Sequence, residues 1–406
     1  MAAAVTGAVT NSKAVPLGEG GFSRALVAAV IVGLAAALVF QTFSDNYPFD
    51  LAYFTTAGRM WAAGLDPYGP AFADHGAPYI APNAALWAYP PQWWAPSVAL
   101  GLLDNTAAVI VWKLLNLGAL AAGTILLHDA VRPRMPIEAL DLLFAALLLT
   151  ADATRITLHL GQTSLLVLLG FAFLIHGLRF GGEKRKIAGL CLLLLKPQFG
   201  LLFLLLTLTL PGARHAALIA VALSASACLP VLATFGVGGT VESAQHFLAN
   251  LGAYADLTWN RPGELTGISF AAAMLGLSAP SPLACVAAAA GLALWLCREP
   301  SDRTGVRLCV VGLACLYAIA PLHPYDMALI PFFLLLLPRL SVAAAIVLTW
   351  RTSSVAFALL GTQAGAAFPG IFTASLIQAG AATIAVALLL AGVIVGRPLA
   401  SDAPAR

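Results

Sequence analysis

Apolar runs recur along the chain from residue 25 to residue 396, each closed by a short polar or basic stretch. This rhythm predicts a succession of membrane-spanning helices rather than one soluble core. The first run, ALVAAVIVGLAAALVFQTF at 25–43, is long enough to span and follows Lys13 and Arg24. It lacks the short core and small-residue cleavage site of a signal peptide, so it predicts a retained anchor with a cytoplasmic tail, 1–23, before it. The next long run is TAAVIVWKLLNLGALAAGTILLH, 106–128, followed by Arg132 and Arg134. Basic residues mark the cytoplasmic side, so 44–105 is expected as one long outer segment. Within it, 83–103 carries Tyr89-Pro90-Pro91 and Trp93-Trp94 and is expected to lie on the outer surface rather than cross.

The same rule threads the rest. A span near 137–152 leads out to TRITLHLGQTS at 154–164, and a span at 163–178 returns to RFGGEKRK at 179–186, the most basic loop. The run 187–210 is interrupted at Lys196-Pro197, which predicts two half-length helices meeting there. A span at 216–235 reaches a second outer loop, 236–265, and 266–278 is expected to stay at the outer surface. The span 281–297 returns to REPSDRTGVR at 298–307; two spans flank an outer turn, LHPYD at 322–326, and two more end in a cytoplasmic tail, 397–406. The expectation is an all-α polytopic protein of about twelve helices, with one membrane-embedded domain, 24–396, and no internal repeat.

Composition strengthens that picture. Hydrophobic residues make up 60% of the 406 and charged residues 10%, where a soluble domain has about a quarter charged. Mean hydropathy is +0.90. The net charge of +3 is spread over short loops, which argues against a nucleic-acid partner. Six cysteines are scattered through the apolar runs without metal-ligand spacing and read as small apolar side chains.

Against that background each ionisable group near a span needs a reason. Asp50, one turn before Tyr53 and Phe54, opens an amphipathic segment, 50–63, while Asp45, Asp66 and Asp74 read as solvated loop carboxylates. Lys196 sits at the helix break; it is either a snorkelling lysine or a cation for an anionic ligand. A break of that kind must face protein or water, never lipid. His323, three residues before Asp326, titrates near neutral pH and suits proton transfer; its alternative is a satisfied residue at a helix end. Arg155, His159 and Gln162 decorate the 154–164 segment, where solvation is the ordinary expectation. The threading places Asp50, Tyr89, Arg155, Gln162, Lys196 and His323 on one face, which their separate explanations do not account for.

Taken in order, FDLAYF…AGLDPY (49–68), YPP (89–91), LGQTS (160–164), AGLCLLLLKPQFGLL (188–202) and LHPYD (322–326) resemble glycosyltransferase family 87, polytopic enzymes of the GT-C superfamily. The resemblance implies a GT-C-type helix bundle with long periplasmic loops in the cytoplasmic membrane. It implies a polyprenyl-phosphate-linked sugar as donor, a glycolipid or glycan acceptor on the outer face, and inversion at the transferred carbon. The sugar it implies is mannose, with arabinofuranose as the alternative. Carried over residue by residue, it makes Asp50 the general base, with His323 as alternative base or support, and Lys196 with Arg155 the donor-phosphate ligands. Tyr53, Tyr89, His159, Gln162, Tyr325 and Asp326 become substrate-pocket candidates. Where the family has Asn after Gly-Gln, this chain has Thr163 and then Ser164. Neither a nucleotide-binding glycine loop nor a metal cluster is visible, so no cofactor is expected, although Asp-rich loops leave room for a divalent ion.

A secondary transporter or lipid flippase also uses broken helices with a charge inside the membrane. It would show paired halves and short loops, whereas this chain has two long outer loops and no duplication. A non-catalytic assembly subunit would tolerate loss of Asp50.

The threading is open to a direct test. Single cysteines in a Cys-free background at Asp74 and Gly239 will react with an impermeant thiol reagent on intact cells, and one at Gly182 will not. Labelling at Gly182 overturns the orientation.

Overall fold

In a computed structural model of the chain, the described residues are 48–77, 79–80, 85–131, 151–257, 260, 265, 267–268, 272–273, 276–298, 304–320 and 322–329, with scattered positions in 29–43 and at 386–391. The two tails, most of the 25–43 anchor, most of the expected 137–152 span and the last two expected spans lie outside them. Every regular element described is helical. We number them α1 (Phe49–Ala62), α2 (Phe72–Gly76), α3 (Trp94–Gly101), α4 (Asn105–Val131), α5 (Asp152–Leu160), α6 (Ser164–Phe180), α7 (Glu183–Leu194), α8 (Pro197–Leu208), α9 (Arg214–Ser226), α10 (Leu229–Ala255), α11 (Pro282–Leu296) and α12 (Thr304–Ile319). Short 3-10 turns stand at Pro91–Trp93, Pro211–Ala213 and Pro324–Leu329.

Among the described residues, α4 alone is long and apolar enough to cross a bilayer by itself. The segments Pro211–Ser226 and Leu229–Ala255 reach that measure together but are bent by 59° at their junction. Helices α6, α8, α11 and α12 are apolar and run only 12–17 residues. The twelve crossings therefore remain an expectation from sequence, while the all-helical class is observed.

Two cores form. The larger joins α4, α6, α7, α8 and α12 through aliphatic side chains and the edge-to-face pair Phe171–Phe203, whose ring centroids are 4.4 Å apart. Buried Lys113 on α4 gives its ammonium to the Thr42 carbonyl. Glycine lets α6 and α7 meet backbone to backbone: a Cβ on Gly189 would sit 2.6 Å from the Leu174 nitrogen and 2.7 Å from the Gly170 carbonyl. Small residues at helix contacts are how apolar helices associate where lipid is as hydrophobic as protein. The second core is aromatic. Phe54 lies 4.6 Å from the rings of Tyr89 and Trp93, 5.2 Å from Trp112 and 5.3 Å from Trp87, centroid to centroid.

The structure revises the expectations for three outer segments, 50–63, 154–164 and 236–265, and keeps the one for 83–103. The 50–63 stretch is not a surface amphipathic helix: ten of the 14 residues of α1 are buried. Residues 83–103 do contain no crossing helix, since α3 has eight residues and rises only about 12 Å against a core of about 30 Å. The expected loops at 154–164 and 236–265 are helical instead, as α5 and as α10 to Ala255; α5 buries Leu158 in the larger core, while α10 beyond Gly236 rests through buried Ser243 and through Phe247, which packs on the aromatic core. Within α10 the helix is broken at Gly236, φ 65° and ψ −176°, a conformation that glycine takes without strain.

Substituting Gly189 by Ala will drive α6 and α7 apart and cost about 1–3 kcal/mol. Gly118→Ala, where an added Cβ meets nothing within 4 Å, will leave the melting temperature unchanged or slightly higher. Equal melting of the two variants in detergent would contradict the close approach.

Candidate functional site

The break foreseen at Lys196-Pro197 is the hub of the site. Proline at the first position of α8 has no N–H to lose, and Lys196 is the residue before the helix, in an extended conformation (φ −116°, ψ 93°). The indole N–H of Trp93 donates to the Leu195 carbonyl at 2.9 Å, so the Trp-Trp segment closes over the break. Lys196 is 5% exposed and Asp326 3%, and the ammonium lies 2.9 Å from Asp326 Oδ1. The Ser164 hydroxyl donates to the same oxygen at 2.7 Å and receives from Lys196 at 3.2 Å, while the His323 backbone N–H donates to Oδ2 at 3.1 Å. Lys196 also sits 5.2 Å from the Tyr325 ring centroid and 5.8 Å from that of Phe199. A buried charge pair is tolerable only with such additional hydrogen bonds.

Two adjoining chambers open beside this pair. One, of about 270 Å³, is lined by Phe49, Asp50, Tyr53, Tyr89, Gln162 and His323, with Leu86, Ile156, Leu160 and Tyr254 among its apolar and aromatic walls. The other, of about 320 Å³, contains Lys196, Gln198, Asn260 and Asp326. Ala88, Tyr89, Gln162, Tyr254, His323 and Tyr325 face both, so the chambers are halves of one cleft.

Asp50 is held there by a local turn as well as by α1. Gly161 adopts φ 75° after α5, and a Cβ on it would lie 2.8 Å from Pro48 Cβ and 3.3 Å from Leu51. Its carbonyl accepts the Trp112 indole N–H at 2.7 Å. The next residue, Gln162, takes a long hydrogen bond from the Tyr89 hydroxyl (3.5 Å) and gives one to Asp50. Asp50 belongs to an extramembrane segment by the threading above. Burial pushes its carboxyl up to about 7, against the pull of the Gln162 hydrogen bond and of the Lys196 charge. His323, in the outer turn and stacked on Tyr325 at 4.9 Å, is lowered below 6.5 by burial, with the nearby Asp326 acting the other way. At neutral pH the cleft therefore offers a carboxylate near its titration point beside a neutral imidazole.

Of the residues singled out from sequence, Asp50, Tyr53, Tyr89, Gln162, Lys196, His323, Tyr325 and Asp326 line this cleft. Arg155 and His159 are not among the lining residues, although both are on α5. The helix turns Ile156 and Leu160 to the cleft, and Arg155 and His159 precede those positions by one residue each, about 100° around the axis. Asp66 is not a solvated loop residue. It accepts from the Ser243 hydroxyl at 2.8 Å and pairs with His246 at 2.9 Å, while Asn250 donates to the carbonyls of Tyr68 and Trp87, both at 3.0 Å. These contacts dock α10 over the cleft and bring in Tyr254, which sequence reading passed over. Ser164 was also missed as a partner of the ion pair, although it stands in the quoted LGQTS. The six cysteines are unpaired. Among the described residues no group of three or more His, Cys, Asp or Glu side chains converges as a metal site.

No curated protein and no solved structure shows significant similarity to this chain. The model of glycosyltransferase family 87 matches residues 87–318, more than half of the chain. That range includes Tyr89, Gln162 and Lys196; His323 lies shortly after its end and Asp50 well before its start. Membership decides between a transferase and a transporter: the chain belongs to glycosyltransferase family 87 and is a membrane glycosyltransferase.

Proposed function

We propose that the protein transfers a sugar, mannose in the first instance, from a polyprenyl-phosphate carrier to a glycolipid or glycan hydroxyl on the outer face of the cytoplasmic membrane, within a bundle of GT-C type. The observation that carries this reading is the joined cleft, with a carboxylate titrating near 7 in one chamber and a buried lysine at a helix break in the other.

Glycosyl transfer with inversion is a single displacement. The acceptor oxygen attacks the anomeric carbon, the bond from that carbon to the phosphate oxygen breaks, and the phosphate leaves with the electron pair. Asp50 takes the acceptor proton, as a base whose pKa lies near working pH. Lys196 neutralises the departing phosphate, where a fixed cation in a water-poor site acts most strongly. To do so it turns part of its hydrogen bonding from Asp326 to the ligand. The aromatic walls offer faces to a sugar ring, and Gln162, touching Tyr89 and Asp50, orients the carboxylate.

The test is turnover by the purified protein with polyprenyl-phosphate mannose, and in parallel polyprenyl-phosphate arabinose, against host lipid extract. Asp50→Asn keeps shape and hydrogen bonding and removes basicity, so the rate will fall about a hundredfold or more. For the parent, kcat/KM will rise with pH through about 7, because the base form of a carboxyl with a raised pKa accumulates only above that pH. If His323 were the base, the rise would fall below 6.5 and His323→Ala would be the dead variant. Near-parental turnover by Asp50→Asn rejects the assignment.

The lysine requires a paired design. Lys196→Met alone strands the Asp326 carboxylate in the interior at about 3–5 kcal/mol, which confounds binding with folding. The double variant Lys196→Met/Asp326→Asn removes both charges. It will fold yet bind the lipid-phosphate donor about tenfold or more weakly, the worth of a charged hydrogen bond. Parental affinity in the double variant would leave Lys196 a structural residue.

A further inference from the structure

A third cavity, of about 390 Å³ and larger than either chamber of the cleft, lies at the opposite end of α6. Ser164 begins that helix at the cleft and Arg179 is in its last turn, 15 residues and about 22 Å away. Helix ends converge here: the end of α6, the first turn of α7, the 3-10 turn at Pro211–Ala213, the end of α11 and the start of α12. Arg179 and Lys186 supply its cations, while Leu178, Leu210 and Pro211 supply an apolar wall.

The lysine is built in rather than draped on the surface. Its side chain is 6% exposed, with the ammonium 2.6 Å from Glu183 Oε2 and 2.6 Å from the Gly212 carbonyl. An ammonium has three donors, so one remains after these two contacts. Arg179 gives one N–H to the Ala130 carbonyl. Thr304 and Gly305 of α12 complete its lining. Lys184 and Arg185 in the first turn of α7 and Arg214 at the start of α9 stand nearby in the chain. Among the described residues, the acids facing these cations are Glu183, which already serves Lys186 and His215, and Asp129, which serves His176. The balance is strongly positive around a half-apolar hollow.

We propose that this cavity binds the phosphate-bearing headgroup of an anionic phospholipid, on the side to which the basic loops assign the cytoplasm. A headgroup fits because it needs cations for its phosphate and an apolar wall for the glycerol end of its chains. Basic pockets between helices on the cytoplasmic side meet both needs. The site is distinct from the cleft and does not depend on which sugar is transferred. Because α6, α7 and α12 run from this cavity to the cleft, occupancy also clamps the ends of the helices that carry Ser164 and lead to Lys196 and His323.

The test uses the full-length protein in nanodiscs of phosphatidylcholine with and without phosphatidylglycerol, read by native mass spectrometry for retained lipid and by thermal melting. The parent will retain phosphatidylglycerol and melt higher in its presence, as a ligand of the folded state requires. Gly212→Asp keeps every cation, since a Cβ there meets nothing within 4 Å, and sets a carboxylate on the wall; retention will fall about tenfold, as for loss of a charge-assisted contact. Arg179→Gln will fall similarly, and Lys184→Gln, exposed and outside the cavity, will not. Undiminished retention in both Gly212→Asp and Arg179→Gln overturns the site. An equal melting shift from inorganic phosphate in phosphatidylcholine alone overturns the lipid as its occupant.

Discussion

The ion pair between Lys196 and Asp326 is the constraint on which the rest of the cleft depends. In a chain with 10% charged residues, two opposite charges are buried together where a helix is interrupted. Neither an open helix break nor a lone charge survives facing lipid. Each answers the other's requirement. The break admits the lysine, the lysine draws in Asp326 with its turn, and Ser164 and the His323 N–H complete the carboxylate's partners. Trp93 then occupies the carbonyl that the break leaves exposed. The starts of α6 and α8 and the 322–329 segment are fixed to one point by polar bonds, in an interior that otherwise offers only non-directional packing.

Asp50 is tuned by the opposite arrangement. Lys196 holds a matched counter-charge within 3 Å. Asp50 instead has aromatic neighbours and a single amide, so burial outweighs the stabilisation and its proton is held to about 7. The same side chain is thus locked in an ion pair at Asp326 and held near its titration point at Asp50, according to the donors each meets. The ring cluster around Phe54 makes that difference possible, because it carries α1 inward from a segment that the charge pattern alone would leave in solvent.

The floor and the roof of the cleft are held by different forces. The floor (α6, α7, α8 and α12) is packed through aliphatic and glycine contacts in the larger core. The roof, the part of α10 beyond the Gly236 break, presents Leu248 and Leu251 to its surroundings and is fastened chiefly by Asp66, by Asn250 and by the Tyr68–Phe247 ring contact at 5.2 Å. Partly exposed polar contacts contribute less than buried apolar area, so the roof is the least costly wall to displace. The wall of the cleft that is easiest to move is thus also one that leaves large apolar side chains exposed.

How much of this was legible in the sequence follows from the kind of signal each part leaves. A proline after a lysine inside a leucine run is a local event, and the break it announces was found at the residue expected. Clustering of Asp50, Gln162, Lys196 and His323 on one face followed from the positive-inside count, which integrates charge over whole loops and tolerates local error. The loops at 154–164 and 236–265 were misread because polar residues there were taken to face water. Ser243, His246 and Asn250 instead face Asp66 and the carbonyls of Tyr68 and Trp87, about 180 residues away in sequence, and no local pattern carries a contact of that separation. Arg155 and His159 stand off the cleft lining for a narrower reason. They were judged as loop residues, for which direction is free, but in a helix with Ile156 and Leu160 on the cleft their direction is set by the 3.6-residue period. Charge tells which side of a membrane a segment lies on; only the helical phase tells which way its side chains turn.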